Sequence, residues 1–172
     1  MTRRPPLATG RLVAHTEAVA IRVPRDDFWR WFVDTPLEAV LPGGGSLPGV
    51  VGTEPAPGPV WGEPGAGRRV HLSDGTAVSE AITEAAPPGR FAYQVWEFER
   101  LPGLLLAQAL GRFAFDDAAD GTRVTWTYAF APRAVWLRPV VSLFVRRRFA
   151  AFMRSGLGEM RTRAEAAHAE AA

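Results

Sequence analysis

The 172-residue chain contains no cysteine and no lysine, and each absence removes a class of chemistry. Without cysteine there are no disulfides, thiolate nucleophiles or cysteine metal sites, which fits a reducing cytoplasm as the expected compartment. Without lysine there is no Schiff base and no Walker-type phosphate loop. Long apolar runs are missing too. A membrane span needs ~20 apolar residues, and the best stretch, residues 134–145, is shorter and carries Arg138 and Pro139. Arg3-Arg4 is followed by Pro5-Pro6 instead of an apolar run, so no secretion signal is expected.

All 20 basic residues are arginine, set against 18 acidic ones, for a net charge of only +2. The isoelectric point of 9.9 therefore reflects the high pKa of the guanidinium more than a surplus of positive charge. A nucleic-acid binder carries a basic stripe along one face. Here the only dense run is Arg146-Arg147-Arg148, so no nucleic-acid partner is expected. That run reads as a solvated helix face or as a weak contact with an anionic membrane surface. Three scattered histidines without a carboxylate cluster suggest no metal site.

What is present is enough apolar material, 47% of residues, for one well-packed core. The chain divides into a flexible arm over residues 1–10, one domain over 11–165 and a fraying tail over 166–172. Residues 11–23 alternate as a strand, with Val13, His15, Glu17, Val19, Ile21 and Val23 on one face. Pro24 starts a helix in which Asp26 and Asp27 sit near the positive end and Phe28, Trp31 and Phe32 share a face. A second helical turn follows at 36–41. Residues 42–67 hold 15 Gly or Pro in 26 positions and predict a long loop without strands. Gly43-Gly44-Gly45-Ser46 lacks the lysine of a phosphate loop, and Gly65-x-Gly67 precedes a strand instead of following one, so no nucleotide cofactor is expected.

The rest is a meander followed by a helix. Strands at 68–73 and 77–84 flank the Asp74-Gly75 turn, and a further strand spans 90–98. After a loop at 99–105, strands at 107–116 and 122–130 flank Asp120-Gly121. The last 35 or so residues are helical, with Val145, Phe149, Phe152, Met153, Gly156 and Met160 on one stripe. Pro139 marks a kink or the first turn.

Several stretches in this order carry a resemblance. Val23-Pro24 leads into Phe28-Trp29. Gly67-Arg68-Arg69-Val70 comes before Leu72 and Asp74-Gly75. Val78-x-Glu80 is followed by Pro87-Pro88 and Arg90-Phe91-x-Tyr93, then Gly121-Thr122-Arg123-Val124-Thr125-Trp126, and an aromatic helix that reaches Gly156-Leu157. Over roughly residues 13–165 the chain resembles the SRPBCC superfamily of START, Bet v 1-like and polyketide cyclase/dehydrase proteins. The resemblance implies an α+β helix-grip fold. An antiparallel sheet of six or seven strands would curve around the long C-terminal helix, with two short helices after the first strand. It also implies a deep, mostly apolar cavity between sheet and helix.

The expected ligand-binding residues are Arg68, Val78, Glu80, Tyr93, Trp126, Tyr128, Phe149 and Met153. The aromatics either wall a cavity or fill a dry core. Glu80 shares strand parity with Val78 and Ile82 and so faces the core, where its carboxylate needs a partner. Arg68, across the hairpin, is placed to supply one. Such a pair orients a ligand carbonyl or phenol, or it is a structural salt bridge. The leading expectation is binding of a lipid-like, aromatic or polyketide-like molecule. One alternative is an aromatase/cyclase with Glu80, Arg68 and Tyr93 as candidate catalytic residues. The other is a protein-interaction module on the same fold. No cofactor is expected, and nothing assigns an oligomeric state.

Overall fold

The structure, a computed structural model, describes residues 3–43 and 47–171. Gly44, Gly45 and Ser46 of the glycine-rich segment, the first two residues of the arm and Ala172 of the tail lie outside the described residues.

Seven strands form one antiparallel sheet in the order β1-β7-β6-β5-β4-β3-β2. They are β1 (Val13–Ile21), β2 (Val50–Pro55), β3 (Gly67–Leu72), β4 (Ala77–Ala86), β5 (Arg90–Trp96), β6 (Leu106–Ala118) and β7 (Gly121–Pro132). On β7 the alternation read from sequence holds: Val124, Trp126 and Phe130 are almost fully buried while Arg123 is exposed. Two helices, α1 (Arg25–Asp34) and α2 (Leu37–Val40), follow β1, and α3 (Arg100–Leu105) precedes β6. A single helical run then closes the chain. It starts with a 3-10 turn at Val135–Leu137 and α4 (Arg138–Phe144). A π turn at Val145–Phe149 leads into α5 (Ala150–Ala171). Pro139 stands in the first turn of α4, where its missing N–H costs nothing.

The hydrophobic core lies between the inner sheet face and this terminal helix. Trp126, Phe115, Ile82, Met153 and Val145 are all at or below 1% exposure. Arg154 of α5 ties it to β1, donating to Glu17 at 2.6 Å. The outcome is the α+β helix-grip arrangement of a curved sheet around one long helix.

Four segments depart from the sequence reading. Residues 42–67 contain β2, which pairs with β3 from Val50 opposite Leu72 to Pro55 opposite Arg68. The strand is six residues long and takes in Gly52 and Pro55, while Val50, Val51 and Thr53 supply the β-branching. The loop over 99–105 contains α3. The C-terminal helix stays regular to Ala171, across the segment expected as a tail. His168 packs 3.8 Å from Asp27 of α1. The arm has no regular structure yet is tied to the outer sheet face. Arg4 donates to Gln94 at 2.7 Å, Ala8 N–H donates to Gln108 at 3.2 Å, and the two glutamine amides donate to the carbonyls of Pro5 and Pro6. These bonds satisfy two buried amides that the strand pattern alone leaves unexplained.

Candidate functional site

Between the sheet and the terminal helix lies a cavity of about 220 Å³. Its floor is the inner face of β3 to β7, where strand parity aims Val70, Val78, Glu80, Tyr93, Trp126 and Tyr128 inward. Phe149 and Phe152 cover it from the terminal helix, and Trp31, Leu37, Pro102 and Phe144 from the shorter helices close its rim.

The polar part of the wall is concentrated at one place. The β3–β4 register sets Arg68 directly opposite Glu80. Arg68 Nε donates to Glu80 Oε2 at 2.7 Å, with the two side chains only 12% and 7% exposed. The guanidinium carbon lies 3.5 Å from the ring centre of Trp61, a cation–π contact that desolvation strengthens. Arginine suits this position because its planar fork can bond a carboxylate while its face stacks on a ring.

Two phenols complete the corner. Tyr93 accepts a hydrogen bond from Trp126 Nε1 at 3.0 Å, which leaves its own O–H proton available to a further acceptor. Burial, then the neighbouring Tyr128 and Glu80, push its pKa well up, although Trp126 and Arg68 pull the other way. Burial and Glu80 raise Tyr128 as well. Both phenols therefore stay protonated through the physiological range and act as hydrogen-bond donors, not bases.

Gly111 makes room for this geometry. It pairs with Tyr93 on one side and Tyr128 on the other, and a Cβ built on it would lie 2.1–2.5 Å from the Tyr93 ring. The ring thus lies flat over the β6 backbone, the close approach that a mid-strand glycine permits. Gly156 does the same for the helix: a Cβ there would meet Leu41 at 2.7 Å and Trp126 at 3.5 Å.

Of the eight residues expected from sequence, Arg68, Val78, Glu80, Tyr93, Trp126, Tyr128 and Phe149 line the cavity. Met153 does not. It is fully buried in the core, and Phe152 takes the wall position instead. Phe149 and Met153 share the inward stripe of the helix and both join the core, but only Phe149 reaches the hollow. Trp61, Phe98, Phe144 and Gly111 were not singled out from sequence. A tryptophan inside a Gly/Pro-rich segment and a glycine inside an apolar strand were the available signals.

The sequence matches, over residues 13–165, the family described as polyketide cyclase / dehydrase and lipid transport. No curated protein matches it. Among solved structures it is similar to ginseng major latex-like protein 151 from Panax ginseng. The two are 18% identical with a TM-score of 0.66, covering 92% of this chain and 99% of that one. It is also similar to the di-domain ARO/CYC BexL from the BE-7585A biosynthetic pathway, at 19% identity and a TM-score of 0.63 over 90% of this chain. The di-domain ARO/CYC StfQ from the steffimycin biosynthetic pathway aligns at 13% identity and a TM-score of 0.66, again over 90% of this chain. The chain spans 50% of BexL and 51% of StfQ, about half of each di-domain protein. At these identities the structural likeness speaks for the fold. With a family match across nearly its whole length, a curved seven-stranded sheet around one terminal helix and an apolar hollow between them, the chain belongs to the polyketide cyclase/dehydrase and lipid-transport family.

Proposed function

We propose that the protein binds a compact, mostly apolar small molecule, aromatic or lipid-like, whose one polar end meets Arg68, Tyr93 and Tyr128. The observation that carries this reading is the pairing of an aromatic-walled hollow with a single charged and phenolic corner. Such walls supply affinity by apolar burial, and a few placed donors supply orientation. Three donors converging there suit a carbonyl, phenol or carboxylate oxygen. The volume of about 220 Å³ exceeds the ~150 Å³ that admits benzene and falls below the ~300–1,000 Å³ of drug-sized pockets. That size favours one or two fused rings, or a short acyl chain, over a long folded chain.

The test is titration with anilinonaphthalene sulfonate, alongside native mass spectrometry of gently purified protein. Val78→Trp, which fills the hollow from β4, should weaken dye binding roughly tenfold or more, about 1.4 kcal/mol. Equal affinity in the filled variant, with no co-purifying molecule, counts against the reading.

A second reading is an aromatase/cyclase, favoured by two protonated phenols beside a buried arginine. Tyr93 would then polarise a substrate carbonyl by donating its proton in a hydrogen bond, with Arg68 stabilising developing oxyanion charge and Glu80 holding Arg68 in place. Turnover of a poly-β-ketone substrate should fall by ~10²-fold in Tyr93→Phe. Unchanged turnover in both Tyr93→Phe and Glu80→Gln removes this role.

A further inference from the structure

The region leading into the terminal helix carries an apolar surface that the cavity does not use. In the 3-10 turn, α4 and the start of the π turn, Leu137, Val141 and Val145 point inward and are nearly or fully buried. On the other side of the same turns, Trp136 is 76% exposed, Val140 53% and Leu143 47%. Spacings of four and three residues set these in one outward stripe. Val135 and, from α3, Leu101 and Leu104 are exposed at 76%, 64% and 71%. The two segments leave the same end of the β6–β7 ladder, where Leu106 pairs with Pro132, and Arg133 Nε binds the Gly103 carbonyl at 2.6 Å. They form one surface.

Its charge is one-sided. Residues 121–158 contain seven arginines and no Asp or Glu. Arg146, Arg147 and Arg148 are all exposed on the π turn directly after the apolar stripe. None of them, nor Arg138, is ion-paired with a carboxylate among the described residues. Of the carboxylates beside α3, Glu99 is engaged by Arg69 at 2.8 Å and Asp74 by Arg100 at 3.6 Å. No helix among the described residues is long and apolar enough to cross a membrane.

We infer that this face docks on the surface of an anionic lipid bilayer, with Trp136, Val140 and Leu143 seated among the acyl chain tops and the arginine triad on the headgroup phosphates. A short amphipathic segment with a tryptophan on its apolar side and a rim of arginine matches that layered environment in both polarity and charge. Because Phe144 of α4 and Pro102 of α3 also line the cavity, docking sets the cavity rim against the oily layer. The inference stands on the exposed face and holds whether or not the cavity is occupied.

Sedimentation with phosphatidylcholine vesicles, with and without phosphatidylglycerol, at low and high salt, tests it. Wild type should partition to the anionic vesicles, lose binding as salt rises and show a blue-shifted tryptophan emission. Replacing all three arginines by glutamine should cost roughly a hundredfold in vesicle affinity, about fivefold for each charge. The pair Trp136→Ser and Leu143→Ser should abolish the shift. All variants should keep wild-type melting and anilinonaphthalene sulfonate affinity, so that failure of docking is separable from failure of the cavity. No partition of wild type to anionic vesicles overturns the proposal. So does equal binding by the variants, or concentration-dependent self-association that Trp136→Ser removes without any vesicle binding.

Discussion

At the scale of single residues, the binding corner depends on what is small or charged in an apolar place. Gly111 allows the Tyr93 ring to lie across β6. In Gly111→Ala the new methyl cannot coexist with that ring, so Tyr93 must swing away and break its bond with Trp126. Overpacking of this kind costs ~1–3 kcal/mol, visible as a lowered midpoint in urea, and dye affinity should fall with it. The Arg68–Glu80 pair separates structure from function in a second experiment. Removing one partner leaves the other charge buried, so Arg68→Ala should destabilise by ~3–5 kcal/mol. The double variant Arg68→Met with Glu80→Leu replaces both charges by apolar volume and should recover most of that stability. If it also recovers full affinity for a ligand bearing a carboxylate or phenol, the pair is structural only.

At the scale of elements, carboxylates fasten the sheet to its turns and to the terminal helix. Asp74 accepts hydrogen bonds from the Thr76 hydroxyl and backbone N–H, which hold its pKa below the usual value of 3.8. For Glu17, burial raises the pKa, but hydrogen bonds and charge from His15 and Arg154 outweigh it and leave it below 4.5. Glu165 is lowered by Arg22, which donates to it from side chain and backbone. A carboxyl whose folded pKa is depressed stabilises the fold above its unfolded pKa and ceases to do so as pH drops through the folded value. Thermal stability should therefore decline as pH falls below about 4.5, and Arg154→Gln should flatten the part of that decline due to Glu17. A profile as steep as wild type in Arg154→Gln contradicts the assignment. The elements themselves were readable where a period or a turn was strong. Asp74-Gly75 and Asp120-Gly121 located two hairpins because Gly75 and Gly121 adopt positive φ, at 80° and 140°. Strand β2 escaped notice because glycine and proline dominate its surroundings, and its pairing with β3 rests on a neighbour distant in sequence.

For the molecule as a whole, the relation of helix to sheet decides what can bind. Large rings pack on one another around the cavity: Phe149 of the terminal helix meets Tyr128 of the sheet at 4.7 Å with the rings tilted, and Phe113 lies parallel to Trp126 at 5.1 Å. Enlarging it should be tolerated at a cost and should broaden ligand choice. Phe149→Ala is expected to lose ~3–5 kcal/mol while admitting bulkier apolar dyes than wild type accepts. Competition binding with a series of fused-ring probes checks this, and unchanged size selectivity would place the ligand elsewhere.

The amino-acid order by itself determined the element sequence apart from β2 and α3, the inward parity of β7 and the facing of Arg68 with Glu80, because each follows from short-range period or from symmetry about one tight turn. The order of the motifs carried the family. Tertiary structure alone decided that Met153 is core and Phe152 wall, that Trp61 returns to cover Arg68, that the arm seals Gln94 and Gln108, and that a hollow is left at all. Those outcomes depend on how side chains of separate layers interdigitate and how far one layer stands from another. Distances between layers come from the summed volumes of many side chains, which no local pattern contains.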